Sequence, residues 1–178
     1  EIPLRLVGSE MCIRDSNMAK EAKTNAMRML ERAKVAYTSH EYPHEEGQAV
    51  DGANVARLTG QDPARVFKTL VTQGADRNYY VFVVPVLAEL DLKKAAKAAG
   101  VKSVAMIHVA DINKVTGYIR GGCSPVGMKK QFPTVFHETV ELFDTICVSA
   151  GKIGAQVEVA PADLIALLGA QTADITAE

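Results

Sequence analysis

Tryptophan is absent, and only three cysteines, Cys12, Cys123 and Cys147, are spread through 178 residues. No two of them form a CxxC, which removes support for a zinc finger or a thioredoxin-type motif. A sparse, odd count suits a reducing compartment, and the cytoplasm is the expected location. No apolar run approaches the length of a membrane span. Neither sign of charge is in excess, with 20 Lys and Arg against 21 Asp and Glu. Whole-chain charge therefore gives no pointer to nucleic acid or membrane. The GxxxxGK[ST] phosphate loop, the GxSxG elbow and a Ser-His-Asp order are missing as well. What is present is the composition of an ordinary globular domain, 48% hydrophobic and 23% charged. The chain is long enough to bury a core without disulfides or metals.

The first 17 residues, "EIPLRLVGSEMCIRDSN", have neither helical periodicity nor the pattern of a signal peptide. Residues 1–17 are expected to be a non-native or disordered leader, and residues 18–178 a single domain. Leaving the leader out removes two basic and three acidic residues, so the remaining charges balance.

After Met18, apolar spacing predicts a helix over Lys20–Val35. "YTSHEY" reads as a short strand, and "AVDGANVARLTG", 49–60, as a helix closed by Gly60. Asp62-Pro63 predicts one further turn before "VFKTLV". "YYVFVVPV" has the strongest strand character in the chain. "LDLKKAAKAAG" reads as a helix with Asp91 as N-cap and Gly100 as its stop. Strands are expected at "SVAMI", "TVFH", "TICVS" and "AQVEVA", with short helices at "ADINKVTG" and "PADLIALLG". "TADI" ends the pattern as strand or coil. Several strands are adjacent in sequence rather than alternating with helices. This predicts a mixed α/β (α+β) fold with a curled sheet surrounded by helices.

Lys68 interrupts "VFKTLV", a run that otherwise reads as a buried strand. Alternation places Val66, Lys68 and Leu70 on one face and Phe67, Thr69 and Val71 on the other. Both faces are largely apolar, so an ammonium there needs a partner or an opening to water. Three roles fit: a lysine snorkelling to the sheet edge or paired with one carboxylate, a cleft lysine holding an anionic or polar ligand, or a base of lowered pKa. Spacing does not choose among them.

A second informative stretch is "TGYIRGGCSPVGMKK", 116–130. Gly121, Gly122, Pro125 and Gly127 permit close backbone approach to a ligand, and free amides there can cradle an anion or a carbonyl oxygen. A plain surface turn is the competing reading. The third stretch is "VSAGKIG", in which Ser149, Gly151 and Lys152 either line the same cleft or simply close a hairpin. Between Asp91 and Lys130 eight basic residues, Lys93, Lys94, Lys97, Lys102, Lys114, Arg120, Lys129 and Lys130, face only Asp91 and Asp111. That suits a local polyanion patch, or for the first three a solvated helix face. His40 and His44 have no evident third partner for a metal, and His108 and His137 are isolated. Cys123 fits a loop filler better than a nucleophile, because no activating histidine is indicated.

Taken in order, "VFKTLV", "LDLKKAAKAAG", "TGYIRGGCSPVGMKKQFPT" and "ICVSAGKIG" resemble the YbaK family of free-standing aminoacyl-tRNA deacylases. That family is related to the editing domain inserted in bacterial prolyl-tRNA synthetases. The likeness runs from about Thr24 to Ile175 and is nearest to the Cys-tRNA(Pro) deacylase branch. It implies a partly barrel-like mixed sheet with helices around it, and tRNA(Pro) mischarged with cysteine as substrate. It places the family's lysine on Lys68, its GxxxP loop on Gly121 to Pro125, and its serine-glycine-lysine turn on Ser149, Gly151 and Lys152.

The resemblance further implies that the substrate's own thiol attacks its ester carbonyl, releasing a cyclic thiolactone. Lys68 then orients the 3′-terminal nucleotide or its phosphate, and the amides of Gly121, Gly122, Cys123 and Ser124 hold the aminoacyl carbonyl. Cys123, Pro125, Gly127, Ser149, Gly151 and Lys152 would shape the substrate pocket. Lys93, Lys94, Arg120, Lys129 and Lys130 would meet the tRNA. No cofactor or metal is implied, and a monomer is expected. Discrimination between tRNAs would come from a partner such as prolyl-tRNA synthetase. Within the fold, a deacylase for alanine or another small residue, or a non-catalytic binder of tRNA ends, are the competing functions. A Schiff-base lysine enzyme is a third class. Three features depart from the family: Cys at 123, where relatives often carry an aliphatic residue; Ala at 150, where glycine is common; and the segment before Met18.

Overall fold

Polar caps set where the helices begin in the computed structural model, which describes residues 23–46 and 48–177. Thr24 precedes α1 (Asn25–Arg32), and its Oγ1 accepts a hydrogen bond from Met27 N at 3.2 Å. The sequence pattern predicts this helix from Lys20 to Val35. The observed helix is shorter because Thr24 is extended and caps the turn after it, while Lys34 takes a left-handed φ of 62° beyond the far end. Lys20 to Ala22 and the expected leader lie outside the described residues.

After β1 (Tyr37–Glu41), Asp51 caps α2 (Gly52–Thr59) by accepting from Asn54 N at 3.0 Å. That cap starts the helix at Gly52, later than the predicted 49. A single 3-10 turn at Pro63–Arg65 follows, as Asp62-Pro63 predicts, and leads into β2 (Phe67–Gly74). β3 (Tyr79–Pro85) completes a hairpin with β2. Asp91 caps α3 (Leu92–Ala99) by accepting from Lys93 N and Lys94 N, and Gly100 closes it, both as the sequence predicts. The remaining elements are β4 (Val104–Met106), α4 (Val109–Thr116), β5 (Thr134–His137), a 3-10 turn at Glu138–Leu142, β6 (Ile146–Ser149), β7 (Ala155–Val159), α5 (Pro161–Leu168) and β8 (Gln171–Ala173).

The strands form two sheets, ordered β1-β7-β6 and β4-β2-β3-β5-β8. The first is wholly antiparallel, whereas β5 runs parallel to both β3 and β8 in the second. A parallel bridge from Val66 to Cys147 joins the sheets. The curved sheet expected from the sequence is therefore two sheets meeting at a seam, with no closed barrel among the described residues.

The main core lies between the sheets, where Phe67, Val71, Val83 and Phe136 meet Val148, Val157 and Val159 under α1 and α5. On the opposite face of the larger sheet, Tyr80, Phe82, Val84 and Leu70 pack against Ala95 and Ala96 of α3. β2 is thus covered on both faces, as its two apolar sets predict.

Its edge is less well covered. β4 pairs with β2 only over Thr72–Gly74, and the bridge to β6 is at Val66, just before β2 begins. From Phe67 to Leu70 no strand among the described residues is paired with β2 on that side. Val66 O accepts from Val86 N, and Gly74 N donates to Asn78 O. In that antiparallel register the even-numbered residues bond to β3, so the N–H and C=O of Thr69 point to the open edge. None of the described helices is long and apolar enough to cross a membrane.

Candidate active site

A cleft of about 600 Å³ opens along this uncovered edge. Asp51, Gly52 and Val55 from the start of α2 form one wall, and Phe67 to Leu70 of β2 form another. Arg120, Gly121 and Cys123 close a third side. Ser149 and Gln156, cross-strand partners on β6 and β7, lie at the base, with Tyr42 nearby. Clefts of this size hold small ligands. Because the edge of β2 is open, residues from both of its faces reach the cleft, including Lys68 and Thr69.

Lys68 is half-buried opposite Val84, and its ammonium makes no hydrogen bond or ion pair with any described residue. The carboxylate reading of Lys68 thus lacks its partner. An ammonium at the wall of a concave site with no counter-ion is free to meet an anion or a carbonyl oxygen.

The glycine loop is held rigidly from below. Tyr118 Oη donates to Val126 O at 2.6 Å, and burial pushes its hydroxyl up to about 12. A Cβ on Gly127 would stand 2.7 Å from that oxygen and 2.9 Å from Ala26 N, and one on Gly151 would meet the Tyr118 ring at 2.9 Å. A Cβ on Gly122 would come within 2.9 Å of the backbone of Lys152 and Ile153. Thr24 Oγ1 donates a short hydrogen bond to Ala150 O. The two loops expected to share a cleft therefore touch each other, and α1 holds both. "VSAGKIG" is also the hairpin turn that its competing reading describes, since it joins β6 to antiparallel β7.

The expected site residues divide in position. Lys68, Gly121, Cys123, Ser149 and Arg120 line the cleft. Gly122 and the backbone of Lys152 form the contact between the loops, and Gly127 and Gly151 close on Tyr118. Ser124 and Pro125 are buried behind the loop, where Ser124 Oγ accepts from Val126 N at 3.2 Å. Lys94 Nζ donates to Asp174 Oδ2 at 3.0 Å and to Thr176 O at 2.9 Å. Lys93 lies beside a separate shallow hollow with Lys97 and Lys102, and Lys129 Nζ donates to Lys114 O. Lys130 is exposed.

No histidine among the described residues lines the cleft to activate its serine, threonine or cysteine. Burial pushes the Cys123 thiol up to about 11, against a smaller opposing effect of Thr116, so it is a thiol at neutral pH. His137 is buried, accepts from Ile175 N and lies outside the cleft lining, and His108 is exposed at the start of α4. No nucleophile–base pair lines the cleft among the described residues.

Sequence reading missed Tyr42, Asp51, Thr69 and Gln156. Alternation in "AQVEVA" does put Gln156 and Glu158 on one face, but nothing local says what covers it. Next to Gln156 on that face, Glu158 binds His40 Nε2 and Arg65 at 2.8 Å each, and accepts from Thr145 Oγ1. Cys147 completes a cluster in which the donor atoms of His40, Cys147 and Glu158 lie within 4.8 Å of one another. The register of β1, β7 and β6 supplies the partners that His40 lacks in sequence. With Arg65 already bonded to Glu158, however, a cation would have to displace a guanidinium. Hydrogen bonds from Thr145, then His40 and Arg65, hold the Glu158 carboxyl down at about 2.

That depression sets a pH dependence. A carboxylate with a folded-state pKa below its ordinary value of 4.5 contributes stability above that value and loses it as pH falls towards about 2. In urea titrations, Glu158→Gln is expected to unfold earlier than wild type at pH 7. The gap should narrow below about pH 4.5 and close near pH 2. A gap independent of pH would mean that the carboxylate's charge contributes nothing.

Fold and cleft together define a class: a mixed α/β domain with a ligand cleft on an open strand edge, served by an unpaired lysine and a glycine loop. The profile of the aminoacyl-tRNA editing domain matches residues 46–167. A protein of Enterococcus faecalis, provisionally named Cys-tRNA(Pro)/Cys-tRNA(Cys) deacylase EbsC, is 49% identical over 156 residues, 88% of this chain and 94% of that one. The crystal structure of a protein provisionally described as a trans-editing enzyme for prolyl tRNA synthetase superposes with a TM-score of 0.74 at 25% identity, covering 86% of this chain and 96% of that one. A hypothetical protein superposes with a TM-score of 0.77 at 20% identity, over 86% and 100% of the two chains, and so shares the fold. The chain belongs to the aminoacyl-tRNA editing domain family.

Proposed function

We propose that this protein is a free-standing deacylase that clears cysteine from mischarged Cys-tRNA(Pro), with residues 18–178 acting as one editing domain. The observation that carries this reading is the 49% identity, over nearly both full lengths, to a protein named for Cys-tRNA deacylation.

The chemistry suits the cleft. In the proposed step the substrate's thiol sulfur attacks its own ester carbonyl carbon, and the acyl C–O bond breaks. The thiol proton passes to the departing ribose oxygen, and a cyclic thiolactone leaves. The protein then supplies positioning and charge, which together account for several kcal/mol of barrier. Lys68 would hold the 3′-terminal nucleotide or its phosphate, and Arg120 would meet the acceptor end at the rim. The loop from Gly121 would present amides to the acyl oxygen, except that of Gly122, which already donates to Ile119 O, and Ser124 and Pro125 would back it. A substrate that brings its own nucleophile needs none from the lining, which fits a Cys123 thiol kept protonated.

A cleft of this size takes an acceptor end and little more. Selection of tRNA(Pro) is therefore assigned to a partner, with prolyl-tRNA synthetase the candidate that the related structure's description suggests.

The test follows amino-acid release from Cys-tRNA(Pro), Ala-tRNA(Pro) and Pro-tRNA(Pro) by the full chain at fixed salt. Rapid loss of cysteine with proline spared is the expected result. Faster loss of alanine would reassign the substrate, and binding without release from any of the three would make the protein a binding module.

A further inference from the structure

Gln156 is only 6% exposed, and its side-chain Oε1 is buried without a hydrogen-bond partner. It nevertheless lines the cleft, on the same sheet face as Ser149. An orphaned buried acceptor is costly, and native proteins seldom keep one without a use. We propose that the Gln156 amide oxygen receives the α-ammonium group of the aminoacyl moiety and so sets the requirement for an unblocked amino acid. This rests on the deacylase reading above.

The engagement of the cleft's other acceptors favours this partner. Lys68 and Arg120 both line the cavity, so an incoming ammonium is repelled unless an acceptor offsets it. Asp51, the carboxylate on the wall, is already engaged by Asn54 N at 3.0 Å and Asn54 Nδ2 at 2.7 Å. Ser149 Oγ accepts from Gly151 N. Gln156 Oε1 and Thr69 Oγ1 are the buried side-chain oxygens of the lining left without a partner. Of these, an amide oxygen is the committed acceptor, because a hydroxyl can turn to donate instead. An ammonium-to-carbonyl bond is charge-assisted and strong, whereas a thiol is a weak donor.

The experiment compares Cys-tRNA(Pro) with 3-mercaptopropionyl-tRNA(Pro), which keeps the thiol and lacks the amine. The ratio of their kcat/KM values is divided by the ratio of their uncatalysed rates. The full-length wild type is expected to prefer the cysteinyl ester by about 10- to 100-fold, the range of one hydrogen bond to a charged group. Gln156→Met should bring that ratio towards 1. Gln156→Glu should keep or raise it, which guards against a Met variant that fails to fold. A wild type with no preference, a Met variant that keeps the ratio, or a Glu variant that loses it would overturn the assignment. Failure of the wild type to cleave the cysteinyl ester would instead overturn the deacylase reading, and this one with it.

Discussion

Replacing Lys68 with methionine is expected to lower kcat/KM on Cys-tRNA(Pro) by about 100- to 1,000-fold, the usual effect of deleting one preorganised donor in an enclosed site. The same change should leave the urea midpoint level or slightly higher. Lys68 is half-buried with no partner among the described residues, so its ammonium contributes little to folding. Methionine keeps the apolar stem and loses only the charge. Lys68→Arg keeps the charge in a wider, planar head and should recover only part of the rate. Single-turnover deacylation and urea unfolding on the same preparations read the two effects separately. If activity and stability fell together, Lys68 would have a structural role. If borohydride trapped substrate on Lys68, the lysine would instead form a Schiff base.

Gly122→Ala is expected to damage both properties at once. The new methyl group would lie 2.9 Å from Lys152 Cα, Lys152 C and Ile153 N, none of which can rotate aside. The loops must separate, and overpacking of this kind costs about 1–3 kcal/mol. Separation also shifts Gly121 and Ser149, which line the cleft from opposite loops, so the deacylation rate should drop at least about 10-fold. Gly60→Ala is the control, because a Cβ there meets nothing within 4 Å. Its cost comes only from a backbone φ of +70°, about 1 kcal/mol, with no effect on the rate. Equal rate losses in the two variants would show that loop contact is not what sets the cleft.

The contrast between Lys68 and Gln156 shows how far local pattern reaches. Lys68 stands out because a charge inside an apolar alternation is costly wherever the strand lies, so its oddity is visible without knowing the neighbours. Gln156 sits in "AQVEVA", where an outward polar residue is unremarkable. Its significance depends on β2 and α2 arriving over that face from 86 to 104 residues earlier in the chain. His40 was legible only as half of an incomplete metal set, because its partners Cys147 and Glu158 arrive through two antiparallel registers. Helix stops at Gly60 and Gly100 were read correctly because a C-terminal glycine acts within one turn. The start of α1 was not, since helical spacing upstream of Thr24 outweighed the residue's capping role in the pattern.

The seam at Val66 and Cys147 has one further consequence. Most clefts that admit a large substrate are bounded by segments that open easily. Here the principal lysine lies two residues from the bridge that ties the two sheets together, on a strand hydrogen-bonded along its whole length to β3. The amides that exchange most slowly with solvent should therefore include those of the site itself, at Lys68 and Leu70. Warming would then leave the cleft intact until the whole domain melts, and loss of turnover and loss of fold should share one midpoint.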